Sequence, residues 1–293
     1  MELKLALVPN TPTMKTPREV ERERKQRDYH RMLANAEKYK DRIGSFLFLA
    51  SDNDLITISP QSAARFVFLC SYLKFGTDRL YITQRTPMKV DDLPGVLCAS
   101  TSTVRRFLKE MIPKYMTVTK DGALRANTNV CRRSSLEKGG NSYHRVYAPL
   151  LRAAYYSLLA GRVQLLGYIF QAVRYLDMNT NMICIRSKSS DEIVPMTGFQ
   201  FAEAVKYSPR EVHRLHRYYQ ELTAEMGMES HKLILFSSDT APGRSNLYVN
   251  PCLMTSSDYM GEIISKLPFL TVNTVEEEIS QQQRLNDIGC PVQ

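Results

Sequence analysis

Apolar residues gather in two runs along the chain, and a similar alternation of short apolar and polar stretches follows each. Pro60 to Leu73 reads as one apolar helix and Val163 to Leu176 as another. Behind each stands a short β-prone segment, Leu80-Tyr81-Ile82 and Ile183-Cys184-Ile185. A short helix is predicted next, from Asp92 to Leu97 and from Gly198 to Val205, then a turn and a second helix. The first of these second helices opens at Ser100. Its apolar residues Val104, Phe107, Leu108 and Met111 fall at i, i+3, i+4 and i+7, the spacing of one buried helical face. The other opens at Ser208-Pro209-Arg210-Glu211, a capping-box sequence with proline at the first helical position. In such a box the serine hydroxyl accepts from the N–H of Glu211, and the Glu211 carboxylate accepts in return. A hairpin is predicted after each helix. Met116 to Thr119 leads to the turn pair Asp121-Gly122, and Leu233 to Phe236 leads through Pro242-Gly243 to Leu247-Tyr248-Val249.

The two series align residue by residue. At an offset of 103, Tyr72-Leu73 meets Tyr175-Leu176, Thr77 meets Thr180 and Leu80 meets Ile183. Five residues are then inserted, and at an offset of 108 Pro87-Met88 meets Pro195-Met196, Ser100 meets Ser208 and Arg106 meets Arg214. An ordered run of matches points to duplication. Helix, tight turn, helix and hairpin describe a winged helix-turn-helix. The expected fold class is therefore α+β, mostly helical with small β-hairpin wings, in two tandem winged helix-turn-helix domains. The divisions read from the sequence are a basic N-terminal helical segment 1–44, a first domain 45–131, a linker and connecting helix 132–161, a second domain 162–254 and an acidic tail 255–293.

Charge changes the picture next. The 293 residues carry 39 Lys and Arg against 30 Asp and Glu, a net +9, which suits an anionic partner. On the first of the second helices, the face opposite the core bears Thr101, Ser102, Arg105, Arg106 and Lys109. On its counterpart it bears Arg210, His213, Arg214, Arg217 and Tyr218, while His216 aligns with Leu108 and reads as core or boundary. Arginine reaches guanine O6 and N7 bidentately, and hydroxyls and lysine reach bases or phosphates. Lys120 and Arg125 at one hairpin tip, and Arg244 and Ser245 at the other, are placed to meet the minor groove or the phosphate backbone. These fourteen residues form the candidate DNA-binding set. Elsewhere the charge is mixed: Lys15 to Arg42 holds ten basic and six acidic residues, as a solvated helix would. The tail holds two basic and six acidic residues and is expected to be a solvated end or to meet protein, whether this chain itself, a second copy, or replication or transcription machinery.

Enzymatic chemistry finds no motif. The chain has no P-loop, H-E-x-x-H or G-x-S-x-G sequence, so no catalytic residue, metal or cofactor is expected. The six cysteines form no C-x-x-C pair and read as reduced thiols of a cytoplasmic protein. No signal-peptide core follows Met1, and the most apolar stretch, Ala148 to Val173, is cut by Arg152 and Arg162, so no membrane association is expected.

The segments Ile58-Ser59-Pro60 through Leu73 and Ser100 to Met111, and the ending Leu247-Tyr248-Val249-Asn250-Pro251, resemble the winged-helix module of RepL-type plasmid replication initiators, whose layout MarR-like regulators share. The resemblance spans roughly 45–130 and 163–254, one module each, where those initiators carry one. It implies a plasmid or phage protein that binds double-stranded DNA at its own origin or operator, as replication initiator or transcriptional regulator, in the nucleoid-associated cytoplasm. A protein-interaction adaptor and a single-stranded nucleic-acid binder are the alternatives that the same elements permit.

Overall fold

The computed structural model describes residues 45–135, 142–159, 161–177, 179–186, 193–226, 229–236 and 246–255. The charged segment 1–44, the turn containing Pro242-Gly243, and all but the first residue of the acidic tail lie outside these. The architecture is mixed α+β, with seven α-helices among the described residues and small antiparallel sheets. None of the described helices is long and apolar enough to cross a membrane. The first half runs β1 (Phe46–Ala50), α1 (Pro60–Cys70), α2 (Leu93–Val96), α3 (Thr101–Met111), β2 (Met116–Val118), β3 (Leu124–Ala126) and β4 (Cys131–Arg132). The second runs β5 (Tyr143–Tyr147), α4 (Ala148–Ser157), α5 (Gln164–Gln171), β6 (Cys184–Arg186), β7 (Ile193–Pro195), α6 (Gly198–Ala204) and α7 (Val212–Glu221). It closes with β8 (Thr223–Met226), β9 (Glu229–Lys232), β10 (Ile234–Phe236), β11 (Leu247–Val249) and β12 (Met254–Thr255).

Equivalent residues in the two halves make the same bonds. Met88 N–H donates to the Leu80 carbonyl at 2.8 Å and Met196 N–H to that of Ile183 at 2.9 Å. Leu80 N–H donates to Leu124 and Ile183 N–H to Leu247, so the segment after each first helix joins the second strand of the closing hairpin. The turn before each second helix passes through a left-handed residue, Cys98 at φ 46° and Lys206 at φ 56°, which are partners at the offset of 108. An asparagine ends each hairpin. Asn127 Nδ2 donates to Lys114 O at 2.9 Å and Asn250 Nδ2 to Lys232 O at 2.6 Å, and each Oδ1 accepts from the N–H two residues on. The five inserted residues fall in sequence between β6 and β7. The hairpin β8–β9 has no counterpart in the first half.

The halves meet in one antiparallel sheet of order β12-β5-β1-β4. Each half supplies its first strand and its last: β4 pairs with β1 through Leu49↔Cys131, and β12 pairs with β5 through Val146↔Met254. The first strands pair with each other from Phe46↔Tyr147 to Ala50↔Tyr143. Antiparallel pairing of equivalent strands places a local dyad between them. Alternation sends Leu47, Leu49, His144 and Val146 inward. Beneath the sheet α1 crosses α5 so closely that a β-carbon on Gly167 would fall on the Pro60 carbonyl. Glycine there lets the backbones touch, and a single apolar core runs through both halves.

This corrects the divisions read from the sequence. Residues 132–161 are more than a linker and connecting helix: they contain β5, one of the two inner strands of the shared sheet, and α4, which packs against α1 and β8. The boundaries at 131 and 254 cut β4 and β12. A chain stopped at Met254 would lose Thr255, which pairs with Arg145. The apolar stretch Ala148 to Val173 resolves into α4 and α5.

Candidate nucleic-acid interface

Helix α3 is set by its cap. Ser100 stands in extended backbone, and its hydroxyl accepts from Thr103 N–H at 3.3 Å. Val104, Phe107 and Met111 are buried against the core and Leu108 is half-buried, so the opposite face must meet solvent. Thr101, Ser102, Arg105, Arg106 and Lys109 are all exposed on it. The one carboxylate of the helix turns away: Glu110 accepts from Ser59 N–H at 3.2 Å and from the Ser59 hydroxyl at 2.9 Å, at the start of α1. Beyond the helix, the Tyr115 hydroxyl donates to Asp54 Oδ1 at 2.8 Å and Lys114 forms an ion pair with Asp54, fixing α3 to the turn that precedes α1. Among the described residues no carboxylate pairs with Arg105, Arg106 or Lys109.

Helix α7 presents its residues differently. The expected capping box at Ser208 does not form. Glu211 N–H, the donor the box needs, is taken by the Ser208 carbonyl at 3.0 Å in a 3₁₀ turn over Pro209–Glu211, and the serine hydroxyl makes no cap bond. A box does form at Thr197 and Gln200, at the start of α6. Val212, Leu215, His216 and Tyr219 are buried, and the Tyr219 hydroxyl donates to the Leu165 carbonyl at 3.0 Å. Arg210, His213, Arg214 and Arg217 are exposed and Tyr218 is half-buried. Arg214 is committed: its Nε donates to the Tyr218 hydroxyl at 2.7 Å, and its Nη1 lies 3.5 Å from Glu211. Three guanidiniums surround the Tyr218 ring, Arg162 at 4.8 Å, Arg214 at 5.4 Å and Arg217 at 6.0 Å. Arg162 comes from the connection before α5 and pairs with Glu221 at 3.4 Å. Sequence reasoning passed it over, because a lone arginine inside an apolar run carries no helical phase to place it.

The hairpin residues divide. Lys120 is exposed at the tip between β2 and β3, where Gly122 adopts φ 81° and its N–H donates to the Thr119 carbonyl at 2.9 Å. Arg125 is not at the tip. It lies in β3 opposite Thr117, with its Nη2 2.6 Å from Asp78. The turn takes up Lys120, Asp121 and Gly122, so Arg125 falls inside the strand. Arg244 and Ser245 lie outside the described residues.

Burial pushes the His144 imidazole down to about 4, and burial together with the nearby His213 lowers that of His216. Cys70 and Cys131 are buried and free, and burial followed by the Cys131 thiol raises the pKa of Cys70. Among the described residues no group of three or more His, Cys, Asp or Glu side chains could hold a metal. No family model, curated protein or solved structure matches the chain.

Proposed function

We propose that this protein binds double-stranded DNA. In this reading α2–α3 and α6–α7 are helix-turn-helix units, β2–β3 and β10–β11 are their wings, and α3 and α7 enter successive major grooves. One observation carries it: the same bonded framework presents an exposed basic helix face twice, once on each side of a dyad. The dyad favours a target of two inverted half-sites on one face of the duplex, the arrangement that dimeric helix-turn-helix proteins need two chains to reach. The two helices differ in side chain, so the half-sites should be imperfect copies. The resemblance to RepL-type initiators and MarR-like regulators suits a plasmid or phage protein acting at its own origin or operator. On this reading it has no enzymatic role and works beside the nucleoid.

Binding to genomic fragments, followed by footprinting, tests the proposal. Expected is a protected site of two half-sites whose centres lie about 10 base pairs apart, with affinity falling steeply as salt rises. Affinity for every fragment alike, or affinity indifferent to salt, overturns it.

A further inference from the structure

Outside the helix faces, the first half carries a second concentration of positive charge. Two clefts, of about 720 Å³ and 660 Å³, share Tyr81 as a lining residue. The larger lies at the end of α1. Arg133 Nη1 donates to the Leu73 carbonyl at 3.0 Å and Arg152 Nη2 to the Ser71 carbonyl at 2.8 Å, so both guanidiniums sit on the negative end of that helix. Burial, and secondarily the neighbouring Arg152, lower the pKa of Arg133. Lys74 and the exposed Arg85 line the same cleft. The smaller cleft adds Arg79, Arg125 and Arg132. Among the described lining residues the sole carboxylate is Asp78, and Arg125 already holds it.

Phosphate attraction alone does not account for the rest of the lining. Phe75 is 68% exposed and Ile82 40%, both within this basic setting. The Tyr81 ring stands between the clefts with the Lys74 ammonium 5.0 Å from its centroid. Duplex DNA offers such a surface two backbones and no free base face. A single strand offers one backbone and unstacked bases, and cations interleaved with aromatic rings match both.

We propose that these adjoining clefts bind single-stranded DNA, with phosphates on Lys74, Arg79 and Arg85 and bases against Phe75 and Tyr81. That the strand is DNA rests on the duplex-binding reading above; the cleft chemistry stands apart from it. A protein that holds a duplex on one surface and a separated strand on another is equipped to keep DNA open beside its site, as replication initiation requires and repression does not.

The test uses the full chain, a fluorescein-labelled oligothymidylate, an oligouridylate of equal length and a duplex carrying the footprinted site. Phe75→Ala with Arg85→Ala should weaken oligothymidylate binding about tenfold or more and leave duplex binding unchanged. Arg85→Glu alone should weaken the strand in the same direction. Arg105→Ala with Arg106→Ala should do the reverse, losing the duplex and keeping the strand. Thermal melts check that the variants fold, and both cleft positions are exposed. Strand binding that survives all changes at Phe75 and Arg85 overturns the proposal. So does strand binding that falls only with Arg105 and Arg106, since the strand would then share the duplex surface. Tighter binding of oligouridylate would make the ligand RNA and overturn the assignment to DNA. If no duplex binds but the cleft variants still lose the strand, the duplex reading fails and this one stands.

Discussion

The two halves share a framework but not the state of their basic faces. On α3, Arg105, Arg106 and Lys109 point outward with no carboxylate partner among the described residues. On α7, Arg214 is bonded to Tyr218 and Glu211, and Arg162 and Arg217 gather round the same ring. A free guanidinium can rotate to meet a base edge; a tethered one must first give up its bonds. On the duplex-binding proposal, the first half would read sequence and the second would present charge in a fixed place. The interiors differ too. Where the first half has Leu47 in its opening strand, the second has His144, and where α3 has Leu108, α7 has His216. Both histidines resist protonation in place, so acid should act on the second half first.

The largest expected effect separates the two faces. Replacing Arg105 and Arg106 with alanine should cost about 2–6 kcal/mol of specific duplex binding. Replacing Arg210 and Arg214 should cost about 1–3 kcal/mol, because only Arg210 is free to make a full contact. Fluorescence anisotropy on the same duplex measures both, and equal losses would erase the distinction.

Acid comes next. An unfolded His144 takes up a proton near pH 6.5, while the folded one refuses it until about pH 4. Stability from the neutral imidazole is therefore complete above pH 6.5 and drains away as pH falls toward 4, by about 3 kcal/mol. His144→Leu, which copies the residue of the first half, should flatten the fall in melting temperature over that range. An unchanged acid profile would assign the sensitivity elsewhere.

The smallest effect tests the tethering itself. Tyr218→Phe keeps the ring and removes the hydroxyl that Arg214 bonds at 2.7 Å. Because Arg214 is exposed, duplex affinity should shift by under about 1 kcal/mol. A loss as large as that of the Arg210 and Arg214 pair would mean that the tether, not the charge, makes the contact.

Much of this was legible in the sequence, for physical reasons that also explain the rest. Helix α3 announced itself through the spacing of Val104, Phe107 and Met111 and the cap at Ser100, all of them local. The insertion that shifts the repeat offset falls between β6 and β7, outside both strands. Strand β5 did not announce itself: its inward pair is His144 and Val146, and it follows a polar run with Gly139-Gly140, so its alternation is short and half of it ionisable. Its partners lie far away in sequence, at Phe46–Ala50 and Met254–Thr255. The box at Ser208 failed for a reason that spelling cannot carry. Ser208 has ψ 118°, tightening the turn into a 3₁₀ bond, whereas Thr197 has ψ 161° and its box closes. Arg125 was misplaced by the same kind of detail, the left-handed Gly122.

Sharing one sheet changes what sets the reach of the molecule. Two modules on a tether find their second half-site by chance encounter, and the length of the tether tunes how often. Here the chain from Ser135 to Ser142 joins β4 to β5, but it does not hold the halves at their distance; the β1–β5 ladder and the contact of Gly167 with Pro60 do. The molecule behaves as a caliper locked at one opening. On the proposed function, extra residues spliced into that connection should leave the opening untouched, whereas a few base pairs added between the half-sites should rotate one groove out from under its helix.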